Sequence, residues 1–387
     1  MASRPATSFA PLADLRGQTV RSLLDHGAKQ HPEKVFAIFP ETDTKVSWSG
    51  QRQSAVRLGP HLSNLGVFDD EPVGILLANG RTALELFLGC MYSRRVAVML
   101  NAVAGIDTLG YVITHSGIRH IFTDDGHADL ANAAVIASHQ QVKVHRVSGD
   151  SGLQLPQAQD YQATGPPQST DDALLIYTSG TTGRPKGVIH THASLLAGGA
   201  NTCSAHHLSS SDRALCVLPL YHINGQVVTV IAPLVSGSSV VIPRKFSTQR
   251  FWQWIVKENC TWFSVVPTMI SYLLGTEEAI QHITESQLSN VRFGRSASAP
   301  LAPAVHKAFV TRFGIPIVET MGITETAAQI LSNPLDPAQQ MIGSPGLPCG
   351  NEIRIRDGEG SDCKNGIVGE IEARGPNLMR AYLDNKQ

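Results

Sequence analysis

Charge imbalance is what this sequence most conspicuously lacks: 31 Lys and Arg against 32 Asp and Glu leave a net charge of −1 over 387 residues. A nucleic-acid partner normally leaves a basic footprint. None is expected here, and any phosphate has to be met by local groups. Paired cysteine spacing is missing as well. Cys90, Cys203, Cys216, Cys260, Cys349 and Cys363 stand apart without a CxxC, which excludes the usual zinc and disulfide frameworks and makes a reducing cytoplasm the expected location. No apolar stretch of signal-peptide length accompanies Arg4 and Arg16. The most apolar region, 214–242, is broken by Pro219, His222, Asn224, Gln226 and Pro233, so no membrane span is expected. His190, His192 and the pair His206-His207 have neither carboxylate nor thiolate company, so they read as surface or capping residues rather than metal ligands.

What is present fits a folded chain, 42% hydrophobic and 16% charged, long enough for two or three packed cores. Ala55, Leu58, Leu62 and Leu65 recur at helical spacing, with Pro60 expected to bend or interrupt the helix. Buried strands are predicted at 73–77, 96–100 and 120–122, with helices near 82–92 and 106–116 between them. A polar connection spans 148–172. A second alternating series carries strands at 215–218, 239–242, 262–266, 291–293 and 315–318. Such alternation implies an α/β fold with mainly parallel sheets covered by helices. Beyond Asn333 short runs at 352–355 and 367–372, separated by Gly and Asp turns, look antiparallel.

The segment that bears most on function is Tyr177-Thr178-Ser179-Gly180-Thr181-Thr182-Gly183-Arg184-Pro185-Lys186-Gly187. Its glycines and hydroxyl residues can present N–H and O–H groups to anionic oxygens, with Lys186 as a compact counter-charge. It is not the Walker pattern, because Gly180 and Gly183 are separated by two residues and Lys186 is followed by Gly. A strand at 173–176 leads into it, and Thr191 is placed to cap the helix that carries Leu195 and Leu196. Taken alone, the run also suits a solvated Gly/Thr turn.

The eleven residues, with Val188 and Thr191-His192 after them, closely resemble the phosphate loop of the adenylate-forming superfamily, which includes acyl-CoA synthetases, peptide-synthetase adenylation domains and beetle luciferases. Further motifs follow in that family's order. Glu319-Thr320-Met321-Gly322-Ile323-Thr324-Glu325, read as a strand end entering a helix, resembles its aromatic-Gly-x-Thr-Glu motif. The resemblance gives Thr324 the α-phosphate and Glu325 the magnesium ion; Met321 stands where an aromatic usually stacks on adenine. Arg295-Ser296-Ala297-Ser298-Ala299-Pro300-Leu301 resembles the segment beside adenine and the acyl group, and Pro219-Leu220-Tyr221-His222-Ile223-Asn224-Gly225 the motif at the acyl pocket. Gly369 to Met379 resembles the opening of the last part of the family's large domain.

The resemblance implies two α/β subdomains forming a nucleotide and acyl cleft over 1–336 and a small distorted β-barrel over 337–387, with the family's mobile C-terminal domain absent. It implies activation of a small carboxylic acid by ATP and Mg2+ to an acyl adenylate, then transfer to coenzyme A. A module loading a carrier protein, or a nucleotide-binding module without turnover, are the alternatives. Catalytic roles fall to Lys186, His222, Thr324 and Glu325. ATP contacts fall to Thr178 through Gly183, Lys186, Ser298, Ala299, Pro300, Thr320, Met321, Gly322 and Thr324. Acyl contacts fall to His222, Asn224, Gly225, Ser296, Ala297 and Arg295, the last as the partner of a second anion on the substrate or, alternatively, turned to solvent or paired with a protein carboxylate.

Overall fold

The computed structural model describes residues 14–155, 165–178, 183–276, 280–281 and 283–384. Helices and strands stack in five layers, helix, sheet, helix, sheet, helix, and side-chain alternation along the strands shows why. In the first sheet Val73, Ile75, Ala97, Met99, Leu174 and Ile176 face the central helices, while Leu76, Val96, Val98, Ile121 and Leu175 face the helices Ile106–Ser116 and Ala128–Ser138 on the far side. In the second sheet Phe36, Ala214, Cys216 and Val240 point to the same centre, and Ile38, Leu215, Val241, Phe263 and Ile317 pack outward on Thr248–Lys257 and Pro303–Phe313. The two sheets therefore share one central core.

The first sheet runs in the order Ala381–Tyr382, Lys186–Thr191, Asp172–Thr178, Val96–Met99, Pro72–Leu76, His120–Thr123, Lys143–Arg146. The second has the order Leu347–Pro348, Ala328–Ser332, Ile317–Ile323, Phe293–Ser296, Trp262–Val265, Arg213–Cys216, Ser239–Val241, Val35–Phe39, Thr44–Ser47. Their interiors are parallel, as the alternation predicts. The chain crosses between them at both ends, however. Val35–Phe39, from the first alternating series, pairs parallel with Ser239–Val241 of the second, and Ala381–Tyr382 returns to the first sheet.

Three expectations are corrected. The helix Trp48–Asn64 passes through Pro60 unbroken; the hydrogen bond that proline forfeits belongs to the carbonyl of Val56, on the helix's exposed face. The strand expected at 291–293 begins at Phe293 and continues to Ser296. The C-terminal barrel does not close among the described residues: Glu352–Arg356 pairs with Glu370–Arg374 as an isolated ribbon, and the other short strands of 337–384 extend the edges of the two large sheets. A two-stranded ribbon has no covered face of its own, and this one is largely exposed. No described helix is long and apolar enough to cross a membrane.

Candidate active site

Strands Phe293–Ser296 and Ile317–Ile323 are parallel neighbours with Ser296 opposite Glu319, and ligands in such sheets collect beyond the carboxyl ends of the strands. There a cavity of about 420 Å³ is lined by Ser296, Ser298, Ala299, Pro300, Thr320, Met321 and Gly322, singled out from the sequence, and also by Glu319, Gly343 and Pro345. Ser298 holds a left-handed backbone, φ 71°, a conformation that costs a non-glycine residue about 1 kcal/mol and turns the chain sharply at the cavity mouth. Gly322 is required by closeness: a Cβ there would overlap the carbonyl of Ala328 on the adjoining antiparallel strand. Thr320 Oγ1 donates to the Ser296 carbonyl at 3.2 Å, tying the two walls together.

A second cavity, about 750 Å³, shares Ser298 and Gly322 with the first and is lined further by Thr178, Lys186, His222, Asn224, Thr324, Glu325 and Tyr382. Thr178 and Lys186 face one another as the last pair of an antiparallel hairpin. The phosphate-loop residues Ser179, Gly180, Thr181 and Thr182 lie outside the described residues; Gly183 has φ 98° with open space where a Cβ would project. The loop thus joins two strands. The helix follows only after Lys186–Thr191, and Thr191 caps it by accepting from the Ser194 amide at 3.2 Å.

Thr324 and Glu325 do not open a helix. They form a single 3-10 turn, Thr324–Thr326, because the chain reverses at once into Ala328–Ser332 through Ala327 and Ala328 at φ 45° and 78°. Three separated residues hold the turn's carbonyls: His190 Nε2 donates to Thr324 O at 2.7 Å, the Met379 amide to Glu325 O at 2.7 Å, and Asn377 Nδ2 to Thr326 O at 2.6 Å. Tyr382 Oη donates to Glu325 Oε1 at 2.7 Å.

His222 lines the cleft with its side chain still exposed, and partial desolvation there lowers its pKa below 6.5, so the ring is neutral at pH 7. Asn224 opens a fully buried π-helix, Asn224–Ile231. Gly225 and Ala297 sit behind the wall instead of on it: Gly225 leaves no room for a Cβ against the Pro219 carbonyl, and Ala297 is buried with its amide on Val265 O. Arg295 is 1% exposed. It is not turned to solvent, and among the described residues it is not paired with a carboxylate. Nε donates to Gln329 Oε1 at 3.0 Å, and Nη1 to Asn224 Oδ1 at 2.9 Å and Ser264 Oγ at 3.1 Å. Burial among neutral acceptors pulls its pKa down to about 9. The amide nitrogen of Asn224 is buried and has no hydrogen-bond partner among the described residues.

This assembly of motifs has close relatives. The profile of the AMP-binding enzyme family matches residues 24–383. The chain belongs to that family. Sulfoacetate–CoA ligase of Cupriavidus necator is 41% identical over 367 residues, covering 94% of this chain and 71% of the relative. Oxalate–CoA ligase of Arabidopsis thaliana is 30% identical over 382 residues, covering 95% and 73%. Among solved structures, anthranilate CoA ligase AuaEII in complex with anthranoyl-AMP superposes with a TM-score of 0.85 at 22% identity, covering 95% of this chain and 71% of that one, a likeness of fold. The chain is an AMP-forming acid–CoA ligase spanning the family's large domain, with ATP and coenzyme A as the substrates this implies.

Within that family frame the structure adds residues that sequence reasoning missed. His190 and His192, expected at the surface or at caps, are buried, and so is His206. His192 Nδ1 accepts from the Val20 amide at 3.2 Å, and His206 Nε2 shares Gln329 Oε1 with Arg295. Desolvation lowers the pKa of His190 to about 4 and that of His206 to about 3. A neutral His190 must carry its proton on Nε2 to reach the Thr324 carbonyl, leaving Nδ1 to accept from Ser194 Oγ at 3.0 Å. The only local signal for His190 was its position beside the phosphate loop. Tyr382 and Asn377 gave none.

Proposed function

We propose that the cleft activates a small acid bearing a second anionic group, as its adenylate, for transfer to coenzyme A in a reducing cytoplasm. The observation that carries this reading is Arg295, a buried cation whose partners among the described residues are all neutral acceptors. Burying a charge without a counter-charge is costly, and such a cost persists where a ligand supplies the missing anion. Arg295 locks the Asn224 carbonyl oxygen and leaves the buried Asn224 amide nitrogen, unpartnered among the described residues, just behind the cavity wall that Asn224 lines, where a ligand's anion could engage it beside a positive charge. Two of the relatives, sulfoacetate–CoA ligase at 41% identity and oxalate–CoA ligase at 30%, are named for acids with a second anionic group, whereas the feruloyl-CoA synthase of Amycolatopsis, at 28%, is named for an acid without one.

The smaller cavity would take adenine between Ser298-Ala299-Pro300 and Met321-Gly322, with the Met321 thioether against the ring. Thr178, Lys186 and the Thr324 hydroxyl would hold the phosphates at the mouth of the larger one. Glu325 is the one carboxylate on that larger wall among the described residues, and no described cluster of three or more His, Cys, Asp or Glu offers an all-protein metal cage. One carboxylate facing phosphate oxygens is a donor set that suits Mg2+, which when bound there would lower the repulsion between the substrate carboxylate and the α-phosphate. The chain's own residues align the rest. Neutral His222 orients the carboxylate by hydrogen bonding, Lys186 draws charge toward the leaving pyrophosphate, and no side-chain nucleophile is required because the substrate oxygen attacks.

Arg295→Met tests the reading. Asn224 Oδ1 keeps a second donor in Ser264 Oγ and Gln329 Oε1 one in His206 Nε2, while Ser264 Oγ loses its donor but still donates to Asn224. Folding stability is therefore expected to hold or rise by up to about 2 kcal/mol. The preference for a dianionic acid over a monoanionic acid of equal length, read by acid-dependent pyrophosphate release, is expected to fall on the order of tenfold or more. An unchanged preference overturns the proposal.

A further inference from the structure

Lys186 and Glu325 line the same cavity, yet among the described residues neither has an ion-pair partner. Opposite charges facing one empty cavity ordinarily pair. Here Tyr382 holds each of them separately. Its hydroxyl donates to Glu325 Oε1 at 2.7 Å, and the ammonium of Lys186 lies over its ring, 5.1 Å from the centroid. Glu325 Oε2 makes no hydrogen bond among the described residues.

Tyr382 is itself fixed by the segment around it. Ala381–Tyr382 adds to the edge of Lys186–Thr191 with Tyr382 opposite Val188. The Arg380 amide donates to Ile189 O at 2.8 Å and the Leu383 amide to Gly187 O at 2.7 Å, while the Arg380 guanidinium takes both oxygens of Asp172 at 2.7 Å. On the other side, Asn377 and Met379 bind the carbonyls of Thr326 and Glu325. One strap thus grips the strand that begins at Lys186 and the turn that carries Glu325.

We propose that Tyr382 is a positioning residue of the adenylation site: it orients the Glu325 carboxylate through one oxygen, leaving the other for the magnesium of the nucleotide, and keeps Lys186 on its ring face so that the two charges do not neutralise each other before ATP arrives. The inference rests on the reading of Glu325 as the magnesium contact and Lys186 as a phosphate contact. An outer partner that orients a metal-binding carboxylate commonly governs metal affinity.

Calorimetric titration of ATP, at a series of MgCl2 concentrations and without magnesium, tests it on the wild-type chain, Tyr382→Phe, Tyr382→Leu, Glu325→Gln and the double variant Tyr382→Phe/Glu325→Gln. Tyr382→Phe keeps the ring and loses the hydroxyl. It is expected to need on the order of tenfold more magnesium for the same tightening of ATP, with magnesium-free affinity within about twofold of wild type, since the ring still carries Lys186. In the Glu325→Gln background the loss of the hydroxyl should change nothing further, which a general loosening of the fold would not reproduce. Tyr382→Leu should also weaken magnesium-free binding as Lys186 turns to Glu325. If that variant melts early, the Phe series decides alone. A Tyr382→Phe magnesium curve that overlays wild type while Glu325→Gln is shifted overturns the role of Tyr382. A Glu325→Gln curve that overlays wild type overturns the underlying assignment of the metal, and this proposal with it.

Discussion

Lys186 leaves the hairpin exposed, and among the described residues its ammonium is held by an aromatic face, so removing it would take away the proposed phosphate contact without leaving a buried group unpaired. Lys186→Ala is accordingly expected to keep the melting temperature of the parent and to weaken ATP binding by about 1.5–3 kcal/mol, roughly ten- to hundredfold. Calorimetry beside a thermal melt checks both halves, and wild-type affinity in a folded variant would remove Lys186 from the phosphate site. Arg295 behaves in the opposite way at the same scale. It is buried and polar on every side, and its replacement touches substrate choice more than folding. A residue type alone distinguished neither case; burial and partners did.

At the scale of elements, the hairpin of Ile317–Ile323 with Ala328–Ser332 sets the geometry of both cavities. Its register shifts between Met321 and Gly322, where the strands approach too closely for a side chain. Gly322→Ala therefore has to push the hairpin apart or unmake the turn that presents Thr324 and Glu325. A loss of more than about 3 kcal/mol is expected, beyond an ordinary Gly→Ala change because backbone, not a flexible side chain, stands in the way. Urea denaturation measures it, and a variant within about 1 kcal/mol of wild type would show that the hairpin yields. The π-helix Asn224–Ile231 makes a related point. Val227, Val228, Thr229, Val230 and Ile231 have a strand-like composition, yet the run is buried on all sides between Gly198, Gly199 and the sheets, and packing overrides propensity.

Across the whole molecule, buried neutral histidines give stability a definite pH dependence. His190 and His192 have folded pKa values lowered to about 4 and His206 to about 3, in each case chiefly by desolvation, against an unfolded value of 6.5. Between those limits the unfolded chain binds more protons than the folded one. The contribution is present above pH 6.5 and is lost as the pH falls toward 4, at up to about 1.4 kcal/mol per pH unit for each residue. The urea midpoint should drop between pH 7 and pH 5, and His190→Gln, which retains a donor for the Thr324 carbonyl, should make that drop shallower. An equal slope in the two proteins would mean that His190 is not buried neutral.

Much of this was legible from residues alone. The helix at 106–116 and the strands near 73, 96, 239 and 262 follow from local periodicity, which dictates which face of each element must be covered. The Thr178–Lys186 run and the Thr324-Glu325 pair pointed to a nucleotide site through their resemblance to a family's motifs; by residue type alone they suit a solvated turn and a helix start as well. Local sequence had no means of stating partners far along the chain. Val35–Phe39 joins the second sheet because its pairing edge is offered by Ser239–Val241, and Arg295 acquires its meaning from Asn224, Ser264 and Gln329, brought together by three different elements. Tyr382 reaches Glu325 only because an edge strand returns to the hairpin of Lys186. The sequence by itself thus determined the elements and the kind of chemistry, since periodicity and residue type act over a few neighbours; the tertiary structure decided the charges' partners and the positioning of the site, since those depend on burial and on contacts between segments far apart in sequence, as in Arg380 with Asp172 across 208 residues.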